Sequence, residues 1–317
     1  MSILVVGAGA TGGYFGGRLA QAGRDVTFLV RERRATALRE RGLRITGPGG
    51  TEVIEPRLVT AVPDDNGAGP GAGASGTVDV VLVTVKADGL DAVIPEIRAA
   101  VGPGTAIVPV LNGLRHLHVL NSAFGQSRVL GGVAVVSTQL DDNGDVQQLN
   151  DMASLTIGAQ DGQRTQAVDR ASDLLSGAGF PVSVSDDIVA AMWQKWAFIA
   201  SAGALNCLLG GSVGEIAAVD GGDQTARAII DEARAVADAA GYPLADAAVA
   251  YMLGMLTAPG SPFTSSLYRD LRQGKPVEVE TILGDLIAEG RKADQPTPLL
   301  DAATVVLRVH NAAAHHA

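Results

Sequence analysis

The chain reads as two domains in series, an α/β amino-terminal domain of Rossmann type with a parallel sheet and an all-α carboxy-terminal domain. Three observations lead there. Residues 3–6 (ILVV) are apolar and partly β-branched, with no polar alternation, the pattern of a parallel strand buried on both faces, and they run straight into a glycine cluster. Similar short apolar runs recur as far as residue 184, and long helical patterns take over only from Asp187. At 317 residues the chain is also long for one hydrophobic core. The boundary is placed near Asp186, giving a nucleotide-binding domain over 1–186 and a helical substrate and catalytic domain over 187–317.

Taken in order, the first strand ends in Gly7, Gly9 and Gly12, a G-x-G-x-x-G turn that opens a helix to about residue 22. The first glycine allows the tight turn, the second lets a pyrophosphate approach the backbone, and the third lets helix and strand pack closely. Ala10 and Thr11 complete the turn, whose helix-terminal N–H groups suit phosphate. A glycine-rich turn that binds nothing has no need of that spacing directly after a buried strand. Residues 25–30 (DVTFLV) form the second strand and close a βαβ unit. Arg31 follows, then Arg33 and Arg34, where a ribose 2′-hydroxyl is held by an acidic residue and a 2′-phosphate by a guanidinium. The arginines favour NADP; Glu32 keeps NAD open, and a solvated helix start explains the same residues.

Residues 44–54 carry short β-like runs around a Gly-Pro-Gly-Gly turn, and 63–76 are Gly, Pro and Ala-rich, a flexible surface loop. Residues 79–85 (DVVLVTV) form a buried strand ending at Lys86; 107–111 form the next, ending at Asn112-Gly113; and 129–136 follow as a sixth. Open parallel sheets put ligands at the carboxyl ends of their strands, which favours Lys86 and Asn112 as cofactor or substrate contacts. The alternative for Asn112-Gly113 is a plain turn. Residues 155–157 and 181–184 look like peripheral strands flanking a helix near 165–175, and helices are expected at about 187–209, 223–240, 244–257, 278–292 and 298–312.

Composition narrows the function. A net charge of −10, with no basic run longer than residues 31–34, argues against nucleic-acid binding. The single cysteine, Cys207, sits in an apolar helical pattern and reads as a packing residue, which suits a reducing cytoplasm. No charged segment precedes the apolar start, so no signal peptide is expected. The longest uncharged apolar stretch, 196–213, is interrupted by glycine, serine and asparagine and falls short of a membrane span. The histidines show no metal-ligand spacing, so no metal is expected, and His315 and His316 lie in a fraying tail. The sequence does not decide the oligomeric state; a homodimer is one state it allows.

Lysine is scarce, with four against twenty arginines. One of the four, Lys195, lies on the stripe marked by Ile188, Met192, Trp196 and Ile199, where desolvation favours the neutral amine unless an anion answers it. A snorkelling edge lysine is the bland alternative. Downstream, Ser265, Ser266 and Asp270 precede a Gly-Lys-Pro turn, and Glu278-Val279-Glu280 opens a helix, where a glutamate is by itself an ordinary dipole partner.

These residues together resemble the ketopantoate reductase (2-dehydropantoate 2-reductase) family. The resemblance runs through GAGATGGYFGG at the start, Arg31, TVK at 84–86, NG at 112–113, WQK at 193–195 and SSLYRDLRQGKPVEVE at 265–280. It implies Lys195 as general acid with Glu278 as its carboxylate, Ser266 on the substrate, Asn112 near substrate and nicotinamide, and Lys86 and Arg31 on NADPH. It further implies reduction of a 2-oxo acid to a 2-hydroxy acid, ketopantoate to pantoate on the way to pantothenate. The chain departs from relatives at two substrate-binding positions. Those that reduce ketopantoate carry asparagines four and eight residues after the lysine, where this chain has Ile199 and Gly203; Leu283 likewise replaces a frequent Asn. Asn206 lies about 16 Å along an ideal helix from Lys195, too far to substitute. A dehydrogenase of another small oxo or hydroxy acid, or a non-catalytic NADPH-binding protein, are the alternatives.

Overall fold

The structure, a computed structural model, describes residues 1–61 and 76–314. The loop expected over 63–76 lies outside them but for Gly76, and so do His315 and His316. The chain forms two compact units, one of Met1–Leu111 with His116–Val189, the other of Asn112–Arg115 with Ala190–Ala317.

The first unit is built on a five-stranded parallel sheet in the order β5-β2-β1-β6-β7, from β1 (Ser2–Val6), β2 (Asp25–Leu29), β5 (Arg57–Val59), β6 (Val80–Val83) and β7 (Ala106–Pro109). The three central strands are almost wholly buried, which is why their sequences show no alternation. Helix α1 (Ala10–Gln21) packs on this sheet at Gly16, where a Cβ would meet Phe28 of β2 and Val5 of β1, and α2 (Glu32–Arg41), α3 (Leu90–Ile97) and α4 (Arg115–Phe124) follow their strands, the last two without a forecast from periodicity.

A second sheet was not anticipated. The hairpin β3 (Leu43–Gly47) and β4 (Gly50–Ile54) joins β9 (Val146–Ala159) and β10 (Val182–Val184), and β8 (Leu130–Leu140) pairs with β9. The sixth strand therefore does not extend the parallel sheet: Val129 makes a single parallel bridge to Ile107, and the rest of β8 runs antiparallel to β9. Pro109 at the end of β7 has no N–H with which to continue a ladder, whereas β9 offers a full-length partner. The turn between them is shaped by Asp141, whose Oδ1 accepts from Asn143 and Asp145, and by Gly144 at φ +79°. Only residues 155–157 of β9 were legible, because residues 149–152 are exposed and the half-buried Gln147 and Gln148 are held by backbone pairing with Gln139 and Thr138 rather than by a buried apolar face. Helix α5 (Gln166–Leu175), capped by Thr165 Oγ1, completes the unit.

Helix α6 (Ile188–Leu209) leads into the second unit, which contains α7 (Val213–Ala217), α8 (Gly222–Ala239), α9 (Asp246–Leu256), α10 (Ser266–Arg272), α11 (Asp285–Lys292) and α12 (Pro298–Ala314). Short α7 and α10 escaped the sequence reading. Helix α8 packs against α7, α9, α11 and α12, and its Glu232 carboxylate accepts from the backbone N–H groups of Leu299 and Leu300 at 3.0–3.1 Å, capping α12 from another helix. The helix expected from 278 begins instead with a π-helical turn, Glu280–Gly284. By length and composition α6 could cross a membrane, but most of its apolar window is buried within the protein.

The tightest packing in the first unit is at Gly12. A Cβ there would collide with the Gly7 carbonyl and with Thr84 Oγ1, the first of which no side-chain rotation can relieve. Gly12→Ala should cost about 2 to 3 kcal/mol in urea unfolding, and adding Thr84→Ala should not restore it. A Gly12→Ala protein as stable as wild type would show that helix and strand are not this close.

Candidate active site

In the first unit β1 delivers the glycine loop. Gly7 turns at φ +97°, its N–H donates to Leu29 O, and its carbonyl with that of Val6 accepts from Thr84 Oγ1 at 3.0 and 2.8 Å. Thr84 thus ties the end of β6 to the loop, a role that the TVK motif did not disclose. Gly9 precedes α1, nothing stands within 4 Å of where its Cβ would be, and no side chain caps the helix. The first-turn N–H groups, at Ala10, Thr11 and Gly12, have no intrahelical acceptor, so an open cradle of backbone donors faces the space above Gly9. That arrangement fits a pyrophosphate.

The three arginines after β2 separate in space. Arg31 is exposed and precedes α2, its carbonyl accepting from Arg34 and Ala35. Glu32 is engaged with Arg39 at 2.9 Å. Arg34 is half-buried and its Nε donates to Ala8 O at 3.0 Å, putting a guanidinium directly on the glycine loop; burial draws its pKa down, against the pull of Asp145. Lys86 is exposed just after β6.

The remaining candidates lie in the second unit. Lys195 retains some solvent access, yet dense packing around its ammonium desolvates it, bringing its pKa down to about 8, with the Glu278 carboxylate acting in the opposite direction. Beside it, Trp196 Nε1 donates to Ile282 O at 2.9 Å, fastening α6 to the π-helical turn that follows Glu278. The segment leading to Glu278 is fastened by α12. Asn311 Oδ1 accepts from Val277 N and its Nδ2 donates to Val277 O, both at 2.9 Å; His310 Nε2 lies 2.8 Å from Lys275 O. Arg308 takes Glu280 in a two-bond ion pair at 2.6–2.7 Å and holds that carboxyl below its ordinary range. Of the two glutamates in EVE, Glu280 is therefore committed to α12, and Glu278 acts electrostatically on Lys195.

Asn112 belongs by its contacts to this second unit, although its strand belongs to the first. The reason is visible at Gly113: at φ +71° it packs so closely on the turn that a Cβ would stand 2.7 Å from Thr281 O. Asp285, one turn beyond Thr281, has a carboxyl raised by burial and partly offset by Arg115, a feature with no sequence signal.

Ser266 is exposed at the start of α10, whereas its neighbour Ser265 is buried, caps the helix by accepting from Tyr268 N, and donates its own N–H to Asn206 Oδ1 at 2.8 Å. Ile199 is half-buried and Gly203 is buried. Cys207 is buried, with a thiol pushed up to about 12 by desolvation, as suits a packing residue.

The chain is similar to known proteins over most of its length. Residues 3–162 match the family described as ketopantoate reductase PanE/ApbA, and residues 187–311 match the C-terminal domain of the same family. An uncharacterised oxidoreductase of Bacillus subtilis, YkpB, is 32% identical over 98% of this chain and 99% of its own length. The crystal structure of 2-dehydropantoate 2-reductase from Geobacter metallireducens superposes with a TM-score of 0.85 at 28% identity, over 98% of this chain and 99% of that one. A D-mandelate dehydrogenase solved with NADH and anilino(oxo)acetate shares the fold, with a TM-score of 0.86 at 21% identity over 99% and 100%.

The α12 fastening is testable by itself. Asn311→Leu leaves the buried Val277 N–H and carbonyl without their partner, at a cost of about 1 to 3 kcal/mol in chemical denaturation. Unchanged stability would show that water replaces the amide freely.

Proposed function

The chain belongs to the ketopantoate reductase family, and from that premise we propose that this oxidoreductase reduces a 2-oxo acid to a 2-hydroxy acid with NADPH. The observation that carries the reading is Lys195, a desolvated ammonium whose charge is supported by Glu278. A sensor or binding protein has no use for a proton donor so placed.

A bound nicotinamide dinucleotide supplies the hydride. In this reading the backbone donors around Gly9 hold its pyrophosphate, Arg31 takes the 2′-phosphate with Arg34 beside the loop, and Lys86 supports the cofactor. Asn112 and Ser266 orient the oxo acid. Lys195 Nζ gives a proton to the ketone oxygen as negative charge collects there, and Glu278 keeps enough of the amine protonated to do so. The residues that fasten Glu278, Asn311 and Arg308 on α12 together with Trp196 on α6, fix the pair before substrate arrives. Ketopantoate is the substrate that the family name suggests. A dehydrogenase of another small oxo or hydroxy acid is the second reading, and it is favoured by Ile199 and Gly203, which offer no side-chain hydrogen bond.

Lys195→Ala should lower kcat by roughly 10² to 10⁴ with little change in NADPH affinity. Because the protonated amine is the active form, wild-type kcat/KM for reduction should fall as pH rises through about 8, and Glu278→Gln should move that fall to lower pH. A folded Lys195→Ala enzyme that keeps more than about a tenth of wild-type kcat overturns the assignment. For the cofactor, Arg31→Ala should weaken NADPH binding by about 1.5 to 3 kcal/mol and leave NADH binding nearly unchanged. Equal losses in fluorescence titrations with the two dinucleotides would remove Arg31 from the 2′-phosphate.

A further inference from the structure

Each carbonyl of the glycine loop from Val6 to Gly9 has a partner within the first unit. Val6 O accepts from Thr84 N and Oγ1, Gly7 O from the same hydroxyl, and Gly9 O from Gly13 N at 2.8 Å. Ala8 O differs, because it is answered by a charged side chain from another helix, Arg34 Nε of α2 at 3.0 Å. A trans peptide is planar, so a carbonyl held on one side fixes the following N–H on the other. The bond to Ala8 O therefore sets the direction of the Gly9 N–H, at the glycine where nothing stands within 4 Å of a Cβ position.

The rest of the Arg34 guanidinium is turned into the protein. Nη2 is closed off from solvent and has no hydrogen-bond partner among the described residues. Nη1 lies against the β8–β9 turn, where a Cβ on Gly144 would stand 2.6 Å from it. That turn is itself anchored: Arg41 donates to Asn143 O at 2.9 Å and pairs with Asp145 at 2.8 Å, and Arg44 Nε lies 3.3 Å from the same carboxylate. The Asp145 charge also favours the Arg34 cation. A buried N–H left without a partner costs stability, and a guanidinium that accepts this cost to reach one carbonyl has its purpose at that carbonyl.

We propose that Arg34 is a positioning residue for the dinucleotide, setting the glycine loop through the Ala8 carbonyl without touching the ligand, and that Gly144 and Asp145 of the β8–β9 turn keep it in place. The inference rests on the reading of that loop as a nicotinamide dinucleotide site.

The test is dinucleotide affinity, measured by fluorescence titration of NADPH and of NADH on folded variants. Arg34→Leu should raise both dissociation constants by the same factor, about tenfold, as expected for the loss of a charge-assisted hydrogen bond. Arg34→Met serves in its place if the leucine variant does not fold. Arg34→Gln carries an amide N–H at the same distance along the side chain as Nε, and should recover most of the loss although it is uncharged. Asp145→Asn should weaken both dinucleotides severalfold by itself and add nothing beside Arg34→Leu, a coupling that an independent structural role of the turn would not produce. A loss confined to NADPH would put Arg34 on the 2′-phosphate itself and overturn the inference. Unchanged affinity in Arg34→Leu, a glutamine variant as weak as the leucine one, or an Asp145→Asn effect undiminished beside Arg34→Leu would overturn it too. Wild-type protein that binds neither dinucleotide overturns the reading of the loop, and the inference with it.

Discussion

A desolvated ammonium needs a fixed counter-charge, and the pairing of Lys195 with Glu278 imposes that requirement on the whole second unit. Packing around Lys195 lowers the pKa to about 8, and the Glu278 carboxylate opposes that fall. Glu278 lies at the end of an extended segment, which by itself has no preferred place. It is held because α12 answers the backbone of Val277 with an amide and the side chain of Glu280 with a guanidinium, and because α6 donates to the carbonyl of Ile282. Two helices distant in sequence thus fix the segment that carries this carboxylate. The capping of α12 by Glu232 extends the chain of support to α8.

In the proposed function the first unit answers a different demand, the close approach of backbone to an anion. Its glycines serve different ends: Gly7 supplies a left-handed turn, Gly9 leaves open space, and Gly12 removes a Cβ from a point already occupied by Thr84 and the Gly7 carbonyl. Thr84 gives the loop its rigidity by bonding two consecutive carbonyls. An anion site made of backbone N–H groups is only as good as the fixity of that backbone, so Thr84 contributes without needing to touch a ligand.

Helix α6 shows how one element combines several duties. Its apolar residues Ile188, Met192 and Trp196 bury it, Lys195 emerges beside them, and Asn206 near its end secures the start of α10. The same length and apolarity would suit a membrane span, but here they serve burial inside the protein.

Local spacing was enough to read the strand–glycine–helix start, the buried strands of the parallel sheet, the long helices of the second unit and Lys195 on a buried stripe, because periodicity records which face of an element is apolar. The exposed arm of β9, the short helices α7 and α10 and the π-helical turn left no such record, since backbone pairing and caps hold them more than an apolar face does. Polar partnerships were equally hidden. Glu278 and Glu280 are two residues apart and chemically identical, and the ion pair of Arg308 on α12 with Glu280 and the electrostatic effect of Glu278 on Lys195 tell them apart. Gly203 reads as vacant space until Leu267 is found filling it, and Asn112 reads as the end of one unit's strand until Gly113 is found packed on Thr281. A residue's periodicity is a property of its neighbours in sequence, whereas its charge partner and its free volume belong to groups that only folding brings together.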